Sequence, residues 1–248
     1  MEKKYSWVNP LIIGICIVIS CLALAFGLSH FKSENSHVIS ATGSASVDFE
    51  SDSIIWRGYF SSNAETSKAA YTSIKRDVEV VKKYLTDNGV NEDEMVFDSV
   101  LISRTYTDQY DVNGHYVGEE ATGYQLTQGI TITSTDIDKI EMISRDISSL
   151  LDQGVEFTSE SPEYYYSGLD ELKLDLIDKA SQNAKERIEI VARNTGANLG
   201  KLNNSSIGVF QITATNTGTS SYTYDGAFDK SSRLKTASVT VKLEYGLK

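Results

Sequence analysis

Thr122-Gly123-Tyr124-Gln125-Leu126-Thr127-Gln128-Gly129-Ile130-Thr131-Ile132-Thr133 alternates between apolar and polar positions, and this alternation decides the fold. Tyr124, Leu126, Gln128, Ile130 and Ile132 fall on one face, with mainly threonine and glycine on the other. Period two with β-branched and aromatic residues describes a strand with one buried face, which is the habit of antiparallel sheets. Upstream, residues 95–107 are again strand-like, and Asp111-Val112-Asn113-Gly114 lies between the two runs. Asn-Gly is a strong hairpin signal, because both central residues of the favoured turn need positive φ. The two runs are therefore expected to pair.

Working outward, the period changes to that of helices. From Ser67, the positions Ala70, Ile74, Val78, Val81 and Leu85 share one helical face, and Asn88-Gly89 supplies a stop. Thr135 can cap a second helix with Asp138 in the capping-box position, and its apolar face is Ile137, Ile140, Ile143, Ile147 and Leu151, ended by Gly154. After a short strand at residues 155–161, a third helix is expected over residues 168–195. Its inward residues are Leu169, Leu172, Leu176, Ala180, Ala184, Ile188 and Val191. Full burial of the five larger ones would contribute on the order of 10 kcal/mol before entropy.

Strands are also expected at residues 38–47 and 53–61, with a turn at 48–52, and again at 201–213. The closing strand alternates strictly, with Ala237, Val239, Val241, Leu243 and Tyr245 facing in. Residues 215–233 are rich in Ser, Thr, Gly and Asn, a length without structure that implies mobility or ordering by a partner. The predicted order is β-β-α-β-β-α-β-α-β-β. A largely antiparallel sheet with three helices on one face makes the fold class α+β.

At the amino end, residues 11–28 carry no charge and are nearly all apolar, a helix of about 27 Å that is close to bilayer thickness. With Lys3 and Lys4 before it and Trp7 at headgroup depth, the expectation is a single-pass anchor with a cytoplasmic amino end and an extracytoplasmic main domain. Two processing routes compete with an intact anchor: peptidase cleavage at Ala23-Leu24-Ala25 and lipidation at a box ending in Cys21. The organisation expected is a stub and transmembrane anchor at 1–31, a linker at 32–37 and one domain at 38–248.

Glu2 against Lys3 and Lys4 leaves the first 31 residues at +1, so the rest of the chain carries −12 and the whole −11. Such a surface repels phosphate backbones and excludes nucleic acid as a partner. Both cysteines, Cys16 and Cys21, lie in the apolar run, so the remaining chain has no disulfide.

No cofactor motif is present, and no catalytic residue is assigned: there is no Gly-x-Ser-x-Gly elbow, and a triad would need one of only three histidines, His30, His37 and His115. Asp111, Asn113 and Glu120, with Gln109 and Gly114, fall on calcium-loop positions, but the first ligand is missing and strands flank the loop. A polar hairpin tip accounts for the same residues. Glu92-Asp93-Glu94 reads as a solvated turn rather than a metal cluster. The aromatic residues Tyr164, Tyr165, Tyr166, Tyr222, Tyr224 and Phe228 pack a sheet edge or anchor a neighbouring subunit, since tyrosine is favoured at interfaces. On the second alternative, deleting residues 215–232 leaves the fold intact and weakens assembly.

Several segments in order resemble the SIMPL-domain family of exported bacterial proteins. They are Ile39-Ser40-Ala41-Thr42-Gly43-Ser44-Ala45, Gly123-Tyr124 leading to Asp138-Lys139-Ile140, the alanine-bearing third helix, Gly196-Ala197-Asn198-Leu199-Gly200-Lys201-Leu202 and the closing strand. The resemblance covers residues 38–247. It implies an α+β domain without assigned catalytic residues that gathers into ring-like or channel-like homo-oligomers. The function expected from it is a membrane-anchored, non-enzymatic scaffold of the cell envelope, linked to stress. The alternative is a small-molecule-binding or stress-sensing envelope module.

Overall fold

The computed structural model of the chain describes residues 8–32, 38–217 and 221–248. The expected stub at 1–7 and most of the linker at 32–37 lie outside the described residues. The first element is helix α1, Val8–Lys32. No helix among the described residues is long and apolar enough to cross a membrane. Residues 13–26, the part of α1 whose side chains are described, are all exposed. The anchor expected at 11–28 is corrected accordingly, and with it the single-pass placement built upon it. The described residues hold four α-helices, α1 and three that follow it, so the fold class is corrected at its transmembrane helix.

The chain continues as β1 (Val38–Glu50), β2 (Ser53–Ala64) and α2 (Ser67–Asp87). Thr66 caps α2 by accepting from Ala69 N at 3.3 Å, and the helix ends where Asn88 Nδ2 donates to Tyr84 O and Gly89 takes φ +83°. Glu92–Glu94 forms a 3₁₀ turn tied by Asn91 N donating to Glu94 Oε2 at 2.9 Å. Next come β3 (Met95–Phe97), β4 (Leu101–Tyr110) and the long β5 (Tyr116–Ser134). The strand expected at 95–107 is broken at residues 98–100, where the exposed Asp98 donates its N–H to Gly129 O at 2.9 Å.

Helix α3 covers Ile137–Asp146 and passes into a 3₁₀ helix, Ile147–Gln153. Its cap is Asp136, which accepts from Lys139 N, rather than Thr135. The strand expected at 155–161 is shorter, β6 (Phe157–Ser159), and a further short strand that was not expected, β7 (Glu163–Tyr165), follows it. Helix α4 (Leu169–Thr195) is followed by β8 (Leu199–Ile207), β9 (Gln211–Ala214) and β10 (Leu234–Leu247). Gly208, whose N–H donates to Thr240 O, marks the break between β8 and β9.

Among the described residues there are two sheets instead of the one expected. In one, β10 lies between β1 and β8, and β9 pairs antiparallel with its first half. In the other, β5 lies between β2 on one side and β3 followed by β4 on the other, and β2 pairs β6 and β7 along its far edge.

The chain divides into two compact units. The larger takes residues 44–180 and 208–240, and its core is Trp56, Phe60, Leu126, Ile130 and Ile132 from β2 and β5 beneath Ile74, Val81 and Leu85 of α2 and Ile140 of α3. The alternation that opens the sequence is what builds this layer: Leu126, Ile130 and Ile132 are buried, and Tyr124 and Gln128 are half-buried. The smaller unit takes the described residues up to Gly43 with 181–207 and 241–248. Within it, β8 pairs with Val241–Leu247 of β10, and Arg187 Nη1 donates to Thr42 O at 2.9 Å.

Candidate functional site

The strand β5 is 19 residues long, but its pairing with β2 ends at Ala64 opposite Tyr124. Residues 116–123 continue with β4 alone, so Thr105–Tyr110 and Tyr116–Gly123 form a two-stranded ribbon that outruns the sheet by about 25 Å. Gly123 stands at its root, where a Cβ would lie 2.5 Å from Ala64 O, so only glycine lets the strands part here. Along β4 every side chain is exposed except the half-buried Thr105. Leu101 (66% exposed), Ile102 (56%) and Tyr106 (53%) present apolar surface to solvent, and Tyr110 meets Tyr116 edge to face at 6.0 Å near the tip.

The tip holds the residues of the calcium-like pattern. Asp111 Oδ1 accepts from Asn113 N at 2.8 Å and His115 N at 2.9 Å, and Oδ2 lies 3.2 Å from His115 Nδ1. The His115 amide, followed by that of Asn113, holds the Asp111 carboxyl below its usual range. Glu120 sits back along the ribbon opposite Thr107, where it accepts from Gln109 Nε2 at 2.8 Å. Asp111 therefore works as a turn-forming acceptor, and no group of three or more metal-capable side chains occurs among the described residues.

The tyrosine tract is engaged inside the larger unit. Tyr164 is half-buried and donates from its hydroxyl to Glu141 Oε1 at 2.9 Å; burial and then this carboxylate push its pKa up to about 12. Tyr165 donates to Glu163 Oε2 at 2.8 Å, and that bond, followed by Arg57, holds the Glu163 carboxyl low. Tyr166 packs on Phe49 at 5.0 Å. Of the other three, Tyr222 accepts from Ser238 Oγ, Phe228 bridges by its backbone to Ile212 beneath Lys235 Nζ, and Tyr224 is almost fully exposed. Of the six, Tyr164 and Phe228 meet at Lys235, whose Nζ donates to Tyr164 O and lies over the Phe228 ring.

Residues 221–233, expected to lack structure, are held by Gln211. Its buried amide donates to Thr223 O at 2.7 Å and accepts from Thr223 N and Ala227 N, while Asp229 N donates to Ile212 O. Behind this loop Lys235 is buried, with Nζ donating to Tyr164 O. Burial lowers its pKa, partly offset by Asp229. The sequence signal for Lys235 was its parity with Ala237, Val239 and Val241, which places it on the inward face of β10. An open groove of about 460 Å³ at Asp52, Asp136 and Arg233 is acidic, and its Arg233 is already bridged to Glu50 and Asp138.

What these features define is a small α+β protein with an open edge strand on a projecting ribbon. The family model SIMPL, described as a protein of unknown function (DUF541), matches residues 39–245, and the chain belongs to that family. No curated protein matches it.

Proposed function

We propose that the protein is a non-enzymatic scaffold that works by assembling copies of itself. The observation that supports this is the ribbon formed by β4 and the outer part of β5. A two-stranded ribbon is marginal in water alone; this one carries Tyr106, Tyr110 and Tyr116 exposed, and Leu101 and Ile102 are exposed at the start of the same strand β4. Covering such residues removes apolar surface from water at about 25 cal/mol per Å² and supplies strand partners to an open edge. Tyrosine is a favoured interface residue, since its ring contributes area at low entropic cost while its hydroxyl finds partners. The test is light scattering of the full chain over a range of concentrations. A mass above the monomer that grows with concentration is expected, and a monomer throughout overturns the proposal.

A further inference from the structure

We infer that two copies of this chain join antiparallel through the free edge of β4, in the register that sets Arg104 of each copy opposite Asp108 of the other. This rests on the self-assembly proposed above and names the surface and the geometry that carry it.

One edge of β4 pairs with β5 from Leu101 to Tyr110, and no described strand pairs with the other. Outward N–H and C=O groups on a strand belong to alternate residues. When two identical edges meet antiparallel, residues of the same parity must therefore face each other, and the twofold axis must pass through a residue. A centre at Arg104 opposes two guanidinium groups, and a centre at Asp108 opposes two carboxylates. A centre at Thr105 or Thr107 sets Asp108 against Ile102 or Tyr106. Only the centre at Tyr106 pairs the charges. It places Arg104 opposite Asp108 twice, Ile102 opposite Tyr110 twice and Tyr106 opposite itself, all on one face of the strand.

The surroundings of these residues favour the same arrangement. Within the chain, Asp108 faces Glu119 across the ribbon, and like charges directly opposite are destabilising. Among the described residues Asp108 receives one long bond, 3.4 Å from Tyr110 Oη, while Arg104 lies over the Tyr124 ring at 5.6 Å and its pKa is raised by Tyr124 and then Tyr106. Among the described residues none of Arg104, Asp108 and Glu119 takes part in an ion pair. An arginine arriving beside Asp108 relieves the repulsion on a chain whose net charge is −11. A contact one strand long is small for a stable interface, so the association falls in the micromolar range.

The experiment is sedimentation velocity on the full chain and on Arg104→Asp, Asp108→Arg and the double variant carrying both, with circular dichroism as the check on folding. Each single variant turns two attractive pairs into two repulsive ones, so association weakens by about tenfold or more, and the double variant restores it to within about threefold. A wild-type chain that stays monomeric overturns both this inference and the scaffold proposal. Association that single variants leave unchanged overturns the β4 edge alone, and single variants that weaken it without rescue by the double overturn the register. Should a charge variant misfold, Tyr106→Glu sets two carboxylates face to face at the centre; association is then lost, and unchanged association refutes the inference.

Discussion

Replacing Tyr164 with phenylalanine removes one oxygen and decides whether the tyrosine tract is part of the fold or an anchoring surface. The hydroxyl donates to Glu141 Oε1 at 2.9 Å, while Glu141 Oε2 accepts from Arg145 Nη2 at 2.8 Å. A hydrogen bond to a charged group contributes about 1.5–3 kcal/mol. Because Tyr164 is half-buried and Glu141 keeps Arg145, the lower part of that range applies, and Tyr164→Phe is expected to cost about 1–2 kcal/mol in urea unfolding. The pH dependence adds a second readout. The folded pKa is raised from 10.0 to about 12, so the stabilisation is present below pH 10 and is lost as pH rises through about 12. The wild type should therefore lose more stability than the variant over that alkaline window. A variant as stable as wild type at neutral pH, with the same alkaline profile, refutes the assignment. Reduced self-association at unchanged stability would instead make the tract a docking surface.

Three further outcomes follow from particular contacts. Gln211→Ala leaves Thr223 N, Thr223 O and Ala227 N without their partner, so a loss of about 1–3 kcal/mol is expected together with faster proteolysis within residues 221–229; an unchanged cleavage pattern contradicts the hub. Gly123→Ala drives a methyl against Ala64 O at the root of the ribbon and should cost about 1–3 kcal/mol by thermal melting, with wild-type stability counting against the close approach. Deleting residues 215–232 removes Asp229 from beside buried Lys235 and the strand-like pairing to Ile212, so the fold itself should be destabilised, contrary to the sequence expectation; a melting temperature equal to wild type would restore that expectation.

Elements with a strong period were legible in the sequence. Helix α2 buries Ala70, Ile74, Val81 and Leu85 of its expected stripe and stops at the expected Asn88-Gly89, because the spacing and the left-handed glycine are both local properties. In β10, Ala237, Val239, Val241 and Leu243 are buried as expected for the same reason. What could not be read depends on partners distant in sequence. The breaks at Asp98 and Gly208 follow from bonds to Gly129 and Thr240, and the order in residues 221–233 follows from one amide on Gln211. An uncharged run is likewise a statement about composition. Residues 11–28 fit a span on that basis, yet no described helix meets the length and apolarity that crossing requires.

The ribbon was half legible. Asn113-Gly114 marks the reversal, and Gly114 takes φ +82° there, but the expected strands stopped at Thr107 and began at Thr122. The missing residues, Asp108 to Tyr110 and Tyr116 to Ala121, mix charges with exposed aromatics and lack a buried face, so no periodicity reveals them. That is also why Arg104 and Asp108 went unnoticed: their meaning lies in an open edge, and an edge is a property of sheet order.

Hydrogen exchange read by mass spectrometry on the full chain, dilute and concentrated, tests the use of that edge most directly. Amides of β4, Leu101–Tyr110, should gain protection as concentration rises, while those of the core strand β2 stay the same. Protection in β4 that does not change with concentration, or a gain confined to another segment, would contradict the account.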